Sequence, residues 1–392
     1  MSCILFTEEF CQPEKLYPFT LTRQIQDIRV GILTIREKWE RALGLPSFDR
    51  KEDDYKDLSH AKTVSEAVGE GTCIMIHGNI LPDAKLVRAV KALKAGEFLS
   101  ASGNSGIAFR ISKSELKGPH QIQVNRAVPY DGELHSIQYP WDIFQLNDWA
   151  IREDFESIVA GRMSEPIPAH CTVLGDGAVF LEKGALLHPC IINTQNGPVY
   201  IGRDAEIMEA CAIRGPFALG DNSCLKMGAK VYGATSIGPY CVAGGEIKNS
   251  VMFGYSNKAH DGYLGDSVVG EWCNMGAGTT NSNLKNNAGT VRIWTAQGEM
   301  DAGQKCGVLM GDYSRTTINT SINTGTVIGV CCHVAGPGLT PKYIPHFSWG
   351  SDGVTRYEFE KALQDIEGWK KLKKQSLLSE KKTILRYIFD HL

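Results

Sequence analysis

The chain has no surplus of positive charge: 41 Lys and Arg stand against 44 Asp and Glu, a net charge of −3. That balance excludes the broad basic field that nucleic acid or an anionic membrane surface calls for. No run approaches the roughly 18 apolar residues of a membrane helix. The first residues, Met1 to Glu9, carry no positive segment leading into a cleavable apolar stretch. The expectation is a cytoplasmic protein with neither nucleic acid nor membrane as partner. Twelve cysteines are present, yet none forms a Cys-x-x-Cys pair. Cys211, Cys224, Cys241 and Cys273 fall at apolar positions of a repeat, so reduced, packed thiols are expected. The vicinal pair Cys331-Cys332 reads as packing too. Glycine is missing altogether from Met1 to Val30.

Glycine is plentiful elsewhere. Of 41 glycines, 29 fall within residues 167–353. The same region holds Ile201, Ile207, Ile213, Leu219, Leu225, Val231, Ile237 and Ala243, each six positions from the last. Ile167, Val173, Val179 and Ala185 keep the same step before them. Ile247, Phe253 and Ala259, then Val269 and Met275, resume it. A period of six is neither the 3.6 of a helix nor the two of a plain strand. It fits a short strand and a turn, three of which close one coil of a triangular prism with the apolar residue inward. Glycine and Asn or Asp supply the corners. This is the hexapeptide signature of a parallel β-helix, expected to wind left-handed against the usual crossover rule. The step breaks at residues 186–200 and again at 282–304, and both stretches are expected as side loops.

Residues 1–138 are patterned differently. Ser2–Phe6, Cys73–His77, Phe98–Ser100 and Ile107–Ile111 read as strands, and Ile25, Ile28, Ile32, Ile35 and Trp39 follow helical spacing. The expectation is a small α/β domain. A linker helix follows, assigned to residues 139–163. The prism takes residues 164–353. The tail, 354–392, reads as two amphipathic helices capping it, with Ile384, Leu385, Ile388, Phe389 and Leu392 on one face.

Polar residues concentrate in one segment of the repeat: Glu246-Ile247-Lys248, then His260-Asp261-Gly262-Tyr263-Leu264-Gly265-Asp266, then Asn274-Met275-Gly276-Ala277-Gly278-Thr279, then Asn283. These motifs, and the spacing from Lys248 to His260, Tyr263, Asn274 and Asn283, resemble the acetyltransferase half of the bifunctional N-acetylglucosamine-1-phosphate uridylyltransferase / glucosamine-1-phosphate N-acetyltransferase family. The resemblance is close over residues 245–285 and looser over the rest of the repeat. It implies an acetyl-CoA-dependent N-acetyltransferase acting on an amino-sugar phosphate. His260 would take a proton from the attacking amine; an imidazole, titrating near pH ~6.5, suits that task. Lys248 would hold the sugar phosphate, with Tyr263 and Asn274 as further substrate contacts. Asn283 would orient the amine or the base. Gly276, Ala277 and Gly278 would let the backbone approach coenzyme A. The arginine that shares the phosphate in that family has Lys230 as its nearest counterpart. The resemblance also implies a homotrimer with sites between neighbouring chains. No resident metal is expected in the prism, whose histidines show no paired spacing.

The N-terminal half carries a second resemblance. Lys15-Leu16-Tyr17-Pro18-Phe19-Thr20-Leu21-Thr22-Arg23 is similar to a segment of sugar-1-phosphate nucleotidyltransferases. In those, a glycine-rich loop comes just before and cradles the nucleotide phosphates. Here that stretch, Phe6 to Glu14, has three glutamates and no glycine, so its backbone approaches a pyrophosphate less readily and its acids repel one. Arg23 and Arg29 are the remaining phosphate candidates, and Mg²⁺ enters only if this half is active. Nucleotidyl transfer with UTP or dTTP, alone or as one of two activities, therefore stays open as an alternative. So does a non-catalytic scaffold that binds a sugar nucleotide.

Overall fold

The computed structural model describes residues 2–8, 12–51, 60–69, 71–101, 106–350 and 352–392. They form two compact units. The first comprises Met1–Pro13, Arg23–Ile28 and Leu33–Gln138; the second comprises Glu14–Thr22, Arg29–Ile32 and Tyr139–Leu392.

The first unit is a seven-stranded mixed sheet with helices. Cys3–Thr7 is an inner strand, parallel to Ser47–Arg50 on one side and to the central Thr72–His77 on the other. Gly106–Ser112 then runs antiparallel to Thr72–His77. The five apolar residues from Ile25 to Trp39 are all buried, but they do not share one helix. Ile25–Asp27 is a single 3₁₀ turn, Gly31 takes φ +84, and the helix proper, Ile35–Leu43, starts only where Thr34 caps it. The Thr34 side chain accepts from Glu37 N, and the Glu37 side chain accepts from Thr34 N. That capping box competes successfully with continuing the helix upstream.

The second unit is a parallel β-helix with three faces. The first face holds nine strands, from Val179–Leu181 to Tyr343–Ile344. The second holds ten, from Leu186–Leu187 to Thr355–Arg356, the last of them antiparallel. The third holds six, from Thr172–Leu174 to Tyr263–Gly265. Ile201, Ile207, Ile213, Leu219, Leu225, Val231, Ile237, Ala243 and Ile247 all enter one apolar core. Burying such side chains contributes roughly 1.5–3 kcal/mol each.

Four expectations need correction. Residues 186–200 are not a side loop: Leu187, Ile192 and Val199 fill the core, and strands Ile191–Asn193 and Val199–Ile201 complete a coil. Only 282–304 leaves the prism, as an antiparallel hairpin of Arg292–Thr295 with Gly298–Asp301. The inward positions after Ile247 are Met252 and Lys258 rather than Phe253 and Ala259, because the corner between Ile247 and Met252 is one residue shorter than the regular step. Cys224 points outward, half-buried, while Cys211, Cys241 and Cys273 do sit in the core. Finally, glycine does not serve every corner. Between the first and second faces the left-handed position is taken by Tyr240, Tyr255, Trp272, Tyr313 and Phe347, with φ from 54 to 62. Such φ is costly for aromatic residues. Stacking offsets it, at 4.9 Å for Tyr240 on Tyr255 and 4.4 Å for Tyr255 on Trp272.

The chain's own segments cover the first face and its corner. The linker stretch is two helices, Asp142–Gln145 and Asn147–Val159. The second of these packs on the first face, where Asn147 donates to Ala234 O at 2.8 Å and accepts from Ser236 Oγ at 3.0 Å. Phe19 packs against Phe253 with ring centroids 5.3 Å apart and planes tilted by 55°. The tail forms Phe359–Leu372 and Ser379–His391. Its first helix lies along the aromatic corner: Lys370 Nζ sits 3.9 Å from the Trp272 ring, and Lys373 Nζ donates to Tyr255 O at 3.1 Å. Ile384, Leu385 and Ile388 are buried as expected; Leu392 is exposed. The third face stays open, with Ile191, Ala212, Arg214 and Lys230 exposed.

Candidate functional site

Outward side chains of the third face stack in two columns. One runs Lys230, Glu246, Tyr263; the other runs Tyr232, Lys248, Gly265. The inward Val231, Ile247 and Leu264 anchor these strands in the core, which turns the flanking polar residues outward. Lys230, the nearest counterpart of the arginine that the resemblance calls for, is not brought beneath Lys248: Tyr232 sits there, and Lys230 is in register with Glu246, because this coil is shorter than the regular repeat. Tyr232 donates to Glu246 Oε1 at 2.6 Å, and that charged acceptor, with burial, pushes the phenol up to about 12.

Asp266 gathers the site. Its carboxylate is almost wholly buried at a corner with φ 47. Oδ1 accepts from Asn249 Nδ2 at 2.7 Å, and Oδ2 faces Lys248 Nζ at 3.5 Å and also accepts from Asn283 Nδ2. The Asn283 amide also donates to the Tyr263 hydroxyl at 3.0 Å. Burial first, and then the Asp266 charge, hold the Tyr263 phenol well above its ordinary pKa, so it stays a neutral donor. Gly265 is small for a specific reason. A Cβ there would lie 2.2 Å from the Tyr263 hydroxyl oxygen, so glycine lets the ring lie along the strand toward Asn283. The sequence offers Asp266 only as one acid in a Tyr-Leu-Gly-Asp run, and nothing in that run marks it as the shared acceptor.

His260 is exposed and lies at the corner leading into Tyr263–Gly265. Its ring makes no hydrogen bond to the described residues. The corner of Gly276, Ala277 and Gly278 follows on the next coil, with Gly278 N donating to Asp261 O at 3.1 Å. Coil stacking already explains both glycines. A Cβ on Gly276 would meet Thr317 O at 2.5 Å, and one on Gly278, at φ +75, would meet Asn319 Oδ1 at 2.1 Å. Ala277 is half-buried beside Ile318, which is 69% exposed. Asn274 is not brought to this cluster. It stands on the second face, in register with Asn257 and Arg315, and accepts from Asn257 Nδ2 at 3.4 Å.

Arg23 and Arg29 fall in different units. Arg23 is buried and packs with the first unit; Arg29 packs with the second, where its guanidinium donates to Ile32 O. Glu9, Phe10 and Cys11, in the stretch where a phosphate loop is expected, lie outside the described residues. At the carboxyl ends of the parallel strands Asp49 is engaged by Arg36 and by Gln26 Nε2. Among the described residues no group of three His, Cys, Asp or Glu side chains is arranged to hold a metal ion. No helix is long and apolar enough to cross a membrane among them either.

Residues 3–163 match the family described as sugar nucleotidyl transferase. The bifunctional protein GlmU of Methanocaldococcus jannaschii is 24% identical over 262 residues, 67% of this chain and 56% of that one. The bifunctional sugar-1-phosphate nucleotidylyltransferase/acetyltransferase of Sulfurisphaera tokodaii is 29% identical over 222 residues, 55% of this chain and 47% of that one. Among solved structures, the polySia-specific acetyltransferase NeuO covers 53% of this chain at 12% identity, with a TM-score of 0.30. The chain spans about half the length of the curated relatives it matches. Over 55–67% of its length it is similar to these bifunctional sugar-1-phosphate nucleotidylyltransferase/acetyltransferases.

Proposed function

We propose that the chain is an acetyl-CoA-dependent N-acetyltransferase whose acceptor is an amino-sugar phosphate of the glucosamine-1-phosphate kind. One observation carries this: Lys248 and Asn283 converge on Asp266, and Asn283 also holds the Tyr263 hydroxyl, with Tyr263 three residues from an exposed, unengaged His260. Acetyl-CoA, when bound, supplies an activated thioester carbonyl; Ala277 and Ile318 offer it an apolar strip beside the base. His260 takes the proton from the acceptor amine as that nitrogen becomes a nucleophile. Lys248 holds the phosphate and shares its charge with Asp266. Tyr263, kept neutral, donates to a sugar oxygen. Asn283 holds the Tyr263 hydroxyl in place.

A homotrimer belongs to the same proposal. Asn274 and Lys248 face outward from different sides of the prism, so a site that uses both takes them from different copies. Cytoplasmic location and a place in cell-envelope precursor synthesis also remain proposals.

The test is thiol release from acetyl-CoA with glucosamine-1-phosphate and related amino sugars. Turnover with at least one of them is expected. At high protein concentration, no turnover with any of them would reject the proposal. Nucleotidyl transfer is the second reading. It is favoured by the family match over residues 3–163, opposed by the missing glycine loop, and read out as pyrophosphate release from UTP or dTTP.

A further inference from the structure

Lys258 stands where the prism calls for an apolar side chain. Its register partner on the preceding coil is Ala243, and Met275 occupies the column on the following coil; both belong to the core. Lys258 is 1% exposed. The small Ala243 leaves room for its stem. Its ammonium reaches the corner between the second and third faces, donating to Gly244 O at 3.1 Å and to His260 O.

Those two carbonyls have a shared history. On the regular coils the same corner is closed by backbone donors: Gly228 N to Glu209 O at 2.9 Å, and Ala229 N to Lys226 O at 3.2 Å. From Leu225 to Val231 the inward positions are six apart, whereas from Ala243 to Ile247 they are four apart. The shortened corner lacks the N–H groups to repeat that pattern at Gly244 O, and on the coil above His260 the corner amide of Gly278 donates to Asp261 O instead. No backbone donor among the described residues reaches Gly244 O or His260 O. A buried carbonyl without a donor is costly, and an ammonium carries three N–H groups.

We propose that Lys258 is a positioning residue: from inside the prism its ammonium ties the Gly244 and His260 corners together and so fixes the direction of the His260 imidazole. The role rests on His260 being the base of the acyl transfer proposed above. Because the His260 ring has no bond to the described residues, its backbone is what aims it. Burial pushes the Lys258 ammonium down to about 8, opposed by the nearby Asp261 charge. An ammonium held there against that penalty has partners worth keeping.

Lys258→Met keeps the length of the side chain and removes the donors. Its thermal midpoint is expected to stay close to the parent's, because relief of a buried charge offsets the two carbonyl bonds lost. Its kcat for acyl transfer is expected to fall about 100-fold, the scale of a misplaced catalytic group, with KM for acetyl-CoA unchanged. Backbone amide exchange over residues 259–262 is expected to rise, while Met252→Leu, elsewhere in the same core, leaves both unchanged. Lys258→Gln, able to reach one carbonyl, is expected to fall between. A Lys258→Met protein with kcat within twofold of the parent overturns the proposal. So does failure of both Lys258 variants to fold, which makes the residue structural only. If the parent turns over no amino sugar, the base assignment fails separately. Amide exchange then decides alone: faster exchange at the corner sustains the tie, and unchanged exchange removes it.

Discussion

The amide of Asn283 donates to Oδ2 of Asp266, the same oxygen that faces Lys248. One buried carboxylate oxygen thus holds a residue from the side-loop segment to a residue of the preceding coil. The open face owes its order to that shared acceptor.

Asp266→Ala is expected to cost roughly 2–4 kcal/mol, because it removes one member of a buried charged network and strands the Asn249 and Asn283 amides. Asp266→Asn should lose less stability but free Lys248 of its counter-charge. Urea unfolding and phosphate affinity, measured together, check this. An Asp266→Ala protein as stable as the parent would show that Asp266 does not organise the face.

Gly265→Ala places a methyl 2.2 Å from the Tyr263 hydroxyl oxygen. The neighbour is a side-chain tip that can swing, so the expected stability loss is about 1 kcal/mol or less. The expected functional effect is larger: Tyr263 loses Asn283, and kcat/KM falls about tenfold, the value of one hydrogen bond near 1.4 kcal/mol. Adding Tyr263→Phe to Gly265→Ala should then cost little more.

His260→Ala is expected to leave stability within about 0.5 kcal/mol, since the ring is exposed and unbonded. Acyl transfer should drop by 10²–10⁴-fold, as befits a general base. A loss of stability without loss of turnover would reverse the assignment.

His346 predicts an acid limit. Its Nδ1 accepts from Val330 N at 3.1 Å, which needs the neutral ring, and burial pushes the imidazole from 6.5 down to about 4. Above pH 6.5 the ring is neutral in both folded and unfolded chains. As the pH falls from 6.5 toward 4, the unfolded chain takes the proton and the folded one does not, so stability is lost across that window. The loss is on the order of 3 kcal/mol. His346→Gln should flatten the slope of stability against pH between 4 and 6.5, measured by urea unfolding.

The six-residue step was legible because each inward residue repeats on one face, and eight successive residues from Ile201 to Ala243 hold the register without a gap. The step misleads where corners change length. Between Ile247 and Met252 one missing residue moves the later inward position from Ala259 to Lys258, and a lysine does not announce itself as core. At residues 186–200 the Thr194–Gly197 turn adds residues without leaving the prism, so a true coil looks like an insertion. The site divides the same way. His260, Lys248, Tyr263 and Asn283 were legible as a spaced motif, whereas the separation of Asn274 onto another face was not, because linear spacing does not say which side of the prism a strand joins.

The sequence by itself determined the solenoid and the identity of its polar segment, since a repeat of apolar residues constrains which side chains can be buried together. Only the tertiary structure decided that Asp266 is the acceptor shared by Lys248, Asn249 and Asn283, and that Lys258 closes a corner from inside. Both depend on which backbone and side-chain groups adjacent coils leave without a partner. That follows from the stacking of coils of unequal length, and no single coil's sequence contains it.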